Sequence, residues 1–472
     1  MTATWTPTIG DGTGTLHEQL VRAVRTDIAQ GVLPPGTRLP PHRELAARLG
    51  IGIGTVTKAY AEAERLGLLS SAVGRGTFVA DHGRPLAANR QVSTSTVDGP
   101  LDLSLNLQVH PLGTQVIAET LARLPQRPDL AETLLIAPPA GIDWQRRTLA
   151  GWFRRAARYD GIDWRRLLIT TGAQHAMSLV IDTHLRPAET VLTEPVTFAG
   201  FRALVANRGG AVAGVAMDGQ GILPEALARA VEKTGSRLLY TIPTIQNPTT
   251  RTMSRQRRTE IVAVAREYDL TIIEDDVYGP FAYALDGHGD DLVPLAQLAP
   301  ERTFYASSAS KTLAMGLRVG VLVAPDAERF DRCAEVLRAS SYATSSLSAL
   351  LVSQAILDGG ASAVRDAIAH DAARRMGLAR RVLGDAVAPP SFPTALHAWL
   401  PMPELQAERV ANGALRRGVT LTPPTSYIVD GTLESGLRLC LNSVPYDDLE
   451  RALRIVRTAM ADEAVPTRQA IV

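Results

Sequence analysis

Residues Asp81–Pro100 (DHGRPLAANRQVSTSTVDGP) divide the chain into two unequal zones. The stretch is polar, rich in Ser and Thr, and bounded by Pro and Gly. It has neither the period of a strand nor that of a helix, so it has no face to bury and reads as a linker. Residues 1–80 must then close a small core of their own, and residues 101–472 must form a separate, larger body. Composition permits both. Of the 472 residues, 45% are hydrophobic and 21% charged, the balance of a soluble globular chain rather than a disordered, collagen-like or coiled-coil one. No run reaches the ~18–20 apolar residues of a membrane span. Met1–Gly10 lacks a basic-then-apolar leader, so a cytoplasmic protein with no membrane partner is expected. Two cysteines, Cys333 and Cys440, make neither a disulfide framework nor a thiolate zinc site, and no metal is expected.

In the first zone, Leu16, Leu20, Val24 and Ile28 form one apolar stripe and predict an amphipathic helix over 14–30. Leu33–Gly36 breaks it. Arg43–Leu49 reads as a second helix stopped by Gly50. Thr55–Leu66 reads as a third, with Val56, Tyr60 and Ala63 inward and Lys58, Ala61 and Arg65 outward. Leu68–Val79 reads as a hairpin with Gly74-Arg75-Gly76 at its tip. Helices closed by a β-ribbon make a winged helix-turn-helix. Net charge over residues 1–80 is only +2, but Arg38, Arg43, Arg48 and Lys58 face Glu44 alone. That is the local positive surface duplex phosphates require. The candidate DNA contacts are Arg43, Thr55, Thr57, Lys58 and Arg75.

Gly31–Val79 resembles the DNA-binding domain of GntR-type bacterial regulators. The resemblance rests on LPPGTRLP (Leu33–Pro40), the RELAARLG helix, the TVTKAYAEAERLG recognition helix and the GRGTFV wing. That family usually carries Ser-Arg-x before the Thr-Val. This chain has Gly52-Ile53-Gly54, without the capping side chain and the DNA-contacting Arg.

The body alternates helical patterns with short β-branched runs. Strands are expected at Leu167–Thr170, Thr190–Leu192, Leu238–Ile242, Leu270–Glu274, Thr303–Ala306 and Val319–Val323, with a helix at Ser254–Tyr268. This is an α/β layout with a mainly parallel sheet. After about Ser348 a smaller α+β lobe is expected, with strands near His397–Leu400 and Leu437–Leu441.

Lysine is scarce here: Lys58, Lys233 and Lys311 stand against 46 Arg, so imine chemistry has few candidates. Lys311 ends Ser307-Ser308-Ala309-Ser310-Lys311, and Arg318 follows seven residues later. Ser308, Ser310 and Arg318 could hold a phosphate beside that amine. Upstream, the apolar run Ile272-Ile273 ends in Glu274-Asp275-Asp276 with Tyr278 beyond, at the strand end where α/β folds bind ligands. Asn247 sits on an Asn-Pro turn after Tyr240–Ile242. Gly172-Ala173-Gln174 open a helix directly after a strand, which leaves main-chain N–H groups for an anion. Arg438 and Cys440 share one strand face, and an Arg there needs an anionic partner, either a ligand or a structural carboxylate.

Each motif is weak alone. Their order, with Asn247, Asp275 and Lys311 spaced by 28 and 36 residues, resembles fold-type I aminotransferases that use pyridoxal 5′-phosphate (PLP), over nearly all of 101–472. Head and body together resemble the MocR branch of GntR regulators. The resemblance implies a fold-type I transferase with a large lobe near 101–347 and a small one near 348–472. It implies a PLP imine on Lys311, Asp275 against the ring nitrogen, and Asn247 and Tyr278 on the ring's phenolic oxygen. Gly172, Ala173, Gln174, Ser308, Ser310 and Arg318 would take the phosphate. Phe198 would stack on the ring, and Arg438 would grip a substrate carboxylate. Two positions depart from that pattern: Thr250 replaces a Gly, and Ile136 stands where a Tyr usually reaches the partner subunit's phosphate.

The expected function is a homodimeric transcriptional regulator that binds an operator duplex and senses an amino acid or amine through PLP. A working aminotransferase with a secondary head is the alternative.

Overall fold

The computed structural model describes residues 5–7, 15–29, 32–34, 36–65, 68–72, 76–79, 101–107, 110–135, 137–285, 292–309 and 311–464. The chain divides into two compact units, Met1–Val92 and Ser93–Val472. The linker Asp81–Pro100, together with Gly74, Arg75, Ile136 and Ser310, lies outside the described residues.

In the first unit, α1 (Leu16–Ala29), α2 (His42–Leu49) and α3 (Ile53–Arg65) precede the antiparallel pair β1 (Leu69–Ala72) and β2 (Gly76–Val79). Leu20, Val24, Leu45, Val56, Tyr60, Ala63, Leu69 and Val79 form its core, which is the apolar stripe of each element turned inward. Gly50 ends α2 in the left-handed region (φ 64°), returning its N–H to Ala46 O. α3 begins at Ile53 rather than Thr55, because the Thr55 N–H already closes a turn on Gly52 O at 2.9 Å. The wing gains a third edge through Leu39 N–H to Thr77 O (2.8 Å) and Val79 N–H to Thr37 O (2.9 Å).

The second unit opens with β3 (Leu101–Asp102), α4 (Pro111–Arg123), the short α5 (Leu130–Thr133) and α6 (Asp143–Ala156). Its sheet runs through β4 (Leu167–Thr170), β5 (Thr190–Thr193) and β6 (Ala211–Gly214), then past a small hairpin, β7 (Met217–Asp218) and β8 (Gly221–Ile222). It continues in β9 (Leu238–Thr241), β10 (Thr271–Asp275), β11 (Thr303–Ser308) and β12 (Gly320–Val323). Spatial order is β4-β12-β11-β10-β9-β5-β6, parallel except for β12, which runs antiparallel to both neighbours. β9, β11 and β12 are buried throughout, because helices cover both faces. β6 was not anticipated: Ala-Val-Ala-Gly has little β propensity and forms only a half-buried edge. The helices α7 (Gly172–His184) and α8 (Ala199–Asn207) follow β4 and β5.

The smaller lobe pairs β13 (His397–Pro401) antiparallel with β15 (Gly436–Cys440), placing Trp399 opposite Arg438 and His397 opposite Cys440. It also pairs β14 (Val419–Thr420) with β3. Leu101–Asp102 therefore sits with the small lobe and not, as expected, with the large one. A two-residue strand has no period to read, and its partner lies far along the chain. The expected lobe boundary near Ser348 also falls inside a helix, Ser346–Leu357, which packs on α4 and α6 through Leu124, Leu350 and Leu351.

Candidate functional site

Strand alternation sorts the three acids at the end of β10. Glu274 turns one way and accepts the N–H groups of Leu295 and Ala296, each at 2.8 Å. Asp276 shares that face and accepts the Tyr305 hydroxyl at 2.9 Å. Asp275 points to the other face. Its Oδ2 accepts the hydroxyl of Tyr240, from neighbouring β9, at 2.8 Å. Its Oδ1 is buried with no hydrogen-bond partner. Burial pushes Asp275 up to about 6, against the pull of the Tyr240 bond and of the Val277 main-chain N–H, which approaches the carboxylate without a hydrogen bond of good geometry to Oδ1. Tyr240 is itself locked by Phe201, stacked at 3.6 Å.

Lys311 donates to the main-chain carbonyl of Asn106. Desolvation, reinforced by the positive charges of Arg438 and Arg318, lowers its amine to about 8. The Asn106 side chain donates to the Tyr278 hydroxyl at 2.9 Å and lies 3.3 Å from His397 Nδ1. His397 is fully buried, and that burial, with Arg438 adding to it, drops its pKa to about 3. The ring is therefore neutral. Its Nε2, 3.3 Å from Gln246 O, carries the proton, and Nδ1 accepts from Asn106. Tyr278 is buried, with its ring 5.5 Å from that of His397.

Arg438 donates to Asn247 Oδ1 at 3.0 Å, to Ser104 O at 2.7 Å and to Thr422 Oγ1 at 2.9 Å. Its Nε is buried without a partner. Among the described residues no carboxylate pairs with it, so the structural salt bridge left open by the sequence is not present. Because Asn247 Oδ1 is engaged, its amide nitrogen is the group left to donate. Thr250, two residues past Pro248, takes φ 61°, the left-handed conformation a Gly would occupy freely.

On the opposite side, α7 starts at Gly172 (φ 80°) immediately after β4. A Cβ on Gly172 would lie 2.7 Å from the Arg318 guanidinium, and one on Gly320 would lie 2.4 Å from the Gly172 carbonyl carbon. Only glycine lets these three segments close, and Arg318, itself at φ 51°, is held over the helix start. No side chain caps that start, so the N–H groups of Gly172, Ala173 and Gln174 have no side-chain acceptor at Thr171. Gln174 turns its side chain to Gly200 O at 2.9 Å and so offers its main chain. Ser308 ends β11, buried opposite Gly320. Phe198 precedes α8 and packs its ring on Gly200.

The donor set fits PLP. A buried acceptor without a partner suits a pyridinium N–H, a lysine of lowered pKa suits an aldehyde, and a helix start with an Arg suits a phosphate. Asn106, Tyr240, His397, Ser104 and Thr422 join the site without any motif to announce them.

In the head, Arg43, Thr57 and Lys58 are exposed and Thr55 is half-buried. Arg48 pairs with Glu44 on its own helix. Thr57 Oγ1 donates to Ile53 O at 3.0 Å and lies 3.2 Å from His42 Nδ1.

Residues 101–456 match the family described as aminotransferase class I and II, and residues 16–79 match the bacterial regulatory proteins of the gntR family. The HTH-type transcriptional regulator YdeF of Bacillus subtilis is 25% identical over 462 residues, 97% of each chain. The HTH-type pyridoxine biosynthesis transcriptional regulator PdxR of Corynebacterium glutamicum is 30% identical over 310 residues, 65% of each. Among solved structures, LysN, an alpha-aminoadipate aminotransferase of Thermus thermophilus crystallised with N-(5′-phosphopyridoxyl)-L-leucine, superposes with a TM-score of 0.68 at 26% identity, covering 77% of this chain and 93% of that one.

Proposed function

This chain belongs to the aminotransferase class I and II family and carries a GntR/MocR-type winged helix-turn-helix head, and on that premise we propose how its parts divide the work of a transcriptional regulator. The head binds operator DNA and the PLP-binding body responds to an amino compound. The observation that carries this reading is the coexistence of an intact helix-turn-helix core with an Asp275 oxygen, an Arg438 nitrogen and a Lys311 amine left ready for a cofactor and its ligand.

PLP, when bound, supplies an aldehyde that captures primary amines. The residues do the rest. Lys311 Nζ, with a pKa of about 8, is partly neutral near physiological pH and so is a nucleophile. Asp275 Oδ1 would accept a ring N–H. The Asn247 amide and the Tyr278 hydroxyl would donate to the ring's phenolic oxygen. Asn106 already donates to the Tyr278 oxygen, so the Tyr278 proton is free to be given to another acceptor. The α7 start, Ser308 and Arg318 would hold the phosphate, Phe198 would cover a ring face, and Arg438 would receive a carboxylate. An amino acid bound this way shifts the balance between two states of a dimer by its differential contacts.

The dimer reading draws on exposed apolar side chains of the body. Leu121, Leu134, Leu135 (68% exposed), Tyr342, Leu347 and Leu357 (60%) lie in water's reach, and Ser346 Oγ to Leu135 O (3.5 Å) and Arg123 to Asp358 (3.3 Å) tie the segments bearing them together. A second copy of the chain is the natural cover for such side chains.

The test is a visible spectrum of the purified chain titrated with amino acids and amines while binding to a selected operator is followed. A ligand that changes both readouts supports regulation. A ligand that changes the spectrum and is converted to a keto acid over many turnovers, with DNA binding unmoved, supports the aminotransferase reading.

A further inference from the structure

The outer face of α3 is apolar where a solvated helix would be polar. Ile53, Thr57 and Ala61 follow one another at four-residue spacing, and all three are exposed, Ile53 by 46%. Thr57 counts as apolar here. Its hydroxyl is turned back to Ile53 O at 3.0 Å and met by His42 Nδ1 at 3.2 Å, which leaves its methyl as the outer group. Lys58 stands beside this row, exposed, and Arg43 is exposed on α2. α3 contains no Asn or Gln, and its one Arg, Arg65, is at the far end. The amide side chains that read adenine edges are therefore missing from its first two turns, and Lys58, beside the apolar row, is the one cationic side chain there able to reach a guanine edge.

Gly52 and Gly54 flank Ile53. A Cβ on Gly54 would meet nothing within 4 Å, and one on Gly52 only Thr55 Oγ1 at 3.9 Å. Packing does not demand either glycine. Their effect is to strip the helix start of side chains on both sides of Ile53, so that this one apolar group stands clear and the backbone can approach a partner closely.

Resting on the reading of the head as a duplex-binding module, we propose that α3 reads the C5-methyl groups of thymine in the major groove, with Ile53 as the principal specificity residue and the Thr57 methyl as the second. The thymine methyl is the one apolar mark a base pair presents there. Positive charge at Lys58 and Arg43 fits the flanking phosphates and favours DNA over an apolar protein partner as the occupant. From Ile53 to Ala61 the helix rises about 12 Å, the span of about three to four base pairs. Each half-site then contains a short run of A·T pairs with thymines facing α3.

The experiment uses the full chain. Duplexes are selected from a random-sequence pool, and each thymine of the recovered half-site is then replaced by uracil, which lacks only the methyl. At one or two positions per half-site, uracil should weaken binding by about four-fold, the worth of one buried methyl group. Ile53→Ala should bind thymine and uracil duplexes alike at its position, and Thr57→Ser, which keeps the hydroxyl bond and loses the methyl, should do so at the next. Indifference to uracil at every position, or undiminished discrimination by Ile53→Ala, overturns the proposal while leaving DNA binding intact. Recovery of no duplex at all overturns the underlying reading of the head, and the proposal with it.

Discussion

Tyr240 holds one oxygen of Asp275 and leaves the other bare. The two residues lie on adjacent parallel strands, the Tyr240 hydroxyl reaches Oδ2 at 2.8 Å, and Oδ1 is buried with no partner. The bond favours the ionised carboxylate, while burial opposes it and sets Asp275 at about 6. PLP affinity that depends on ionised Asp275 should therefore fall as pH drops through about 6. In Tyr240→Phe the break should move to higher pH, with affinity at neutral pH down by roughly 1–3 kcal/mol. PLP titrations between about pH 5 and 8 check both. A break unmoved by Tyr240→Phe would show that the hydroxyl does not act on Asp275.

The same group gives a stability prediction for the cofactor-free chain. Asp275 has a folded pKa above its unfolded value, so its contribution is fully present below about 4 and is lost as pH rises through about 6. Asp275→Asn should remove that loss, on the order of 3 kcal/mol. The difference between the two proteins' urea midpoints against pH measures it.

Lys311 is lowered to about 8 by desolvation. The neutral amine is the reactive form, so covalent capture of PLP by the cofactor-free chain should quicken across pH 7–9 with a midpoint near 8. Borohydride reduction followed by peptide mapping should place the cofactor on Lys311, and Lys311→Ala should trap none. Label on Lys58 or Lys233 would refute the assignment.

Arg438 holds Asn247 by one nitrogen and has another bare. Arg438→Ala should weaken amino-acid binding by roughly 2–5 kcal/mol. It should leave PLP attached, and the response to a simple amine should fall far less. Equal loss of both responses would mean that Arg438 serves only to orient Asn247.

Leu135 and Leu357 are the most exposed of the apolar side chains proposed for the dimer interface. Leu135→Asp with Leu357→Asp should yield a monomer at micromolar concentration by sedimentation, because each carboxylate would be buried unpaired in the interface. A dimer unaffected by the pair moves the interface elsewhere.

Lys58 is exposed on α3, and Lys58→Ala should weaken binding to all duplexes and reduce the slope of log affinity against log salt by about 1. An unchanged slope would show that Lys58 faces away from phosphate.

What the sequence alone determines here is whatever local chemistry repeats in order. The head's stripes and its Gly50 stop specify three helices and a ribbon, because each apolar face must turn inward. Lys311, Asp275, Asn247, Arg318 and the Gly172 helix start are legible because strand ends and helix starts carry their own punctuation. Tertiary structure alone decides the rest. Asn106 meets Tyr278 across 172 residues and His397 across 291, and Tyr240 meets Asp275 across 35. Leu101–Asp102 finds its partner only in the small lobe. Such contacts arise where strands neighbour in space and not in sequence. The hydrogen bonds that set which oxygen of Asp275 is bare, and which nitrogen of His397 carries the proton, depend on burial that a linear pattern does not encode.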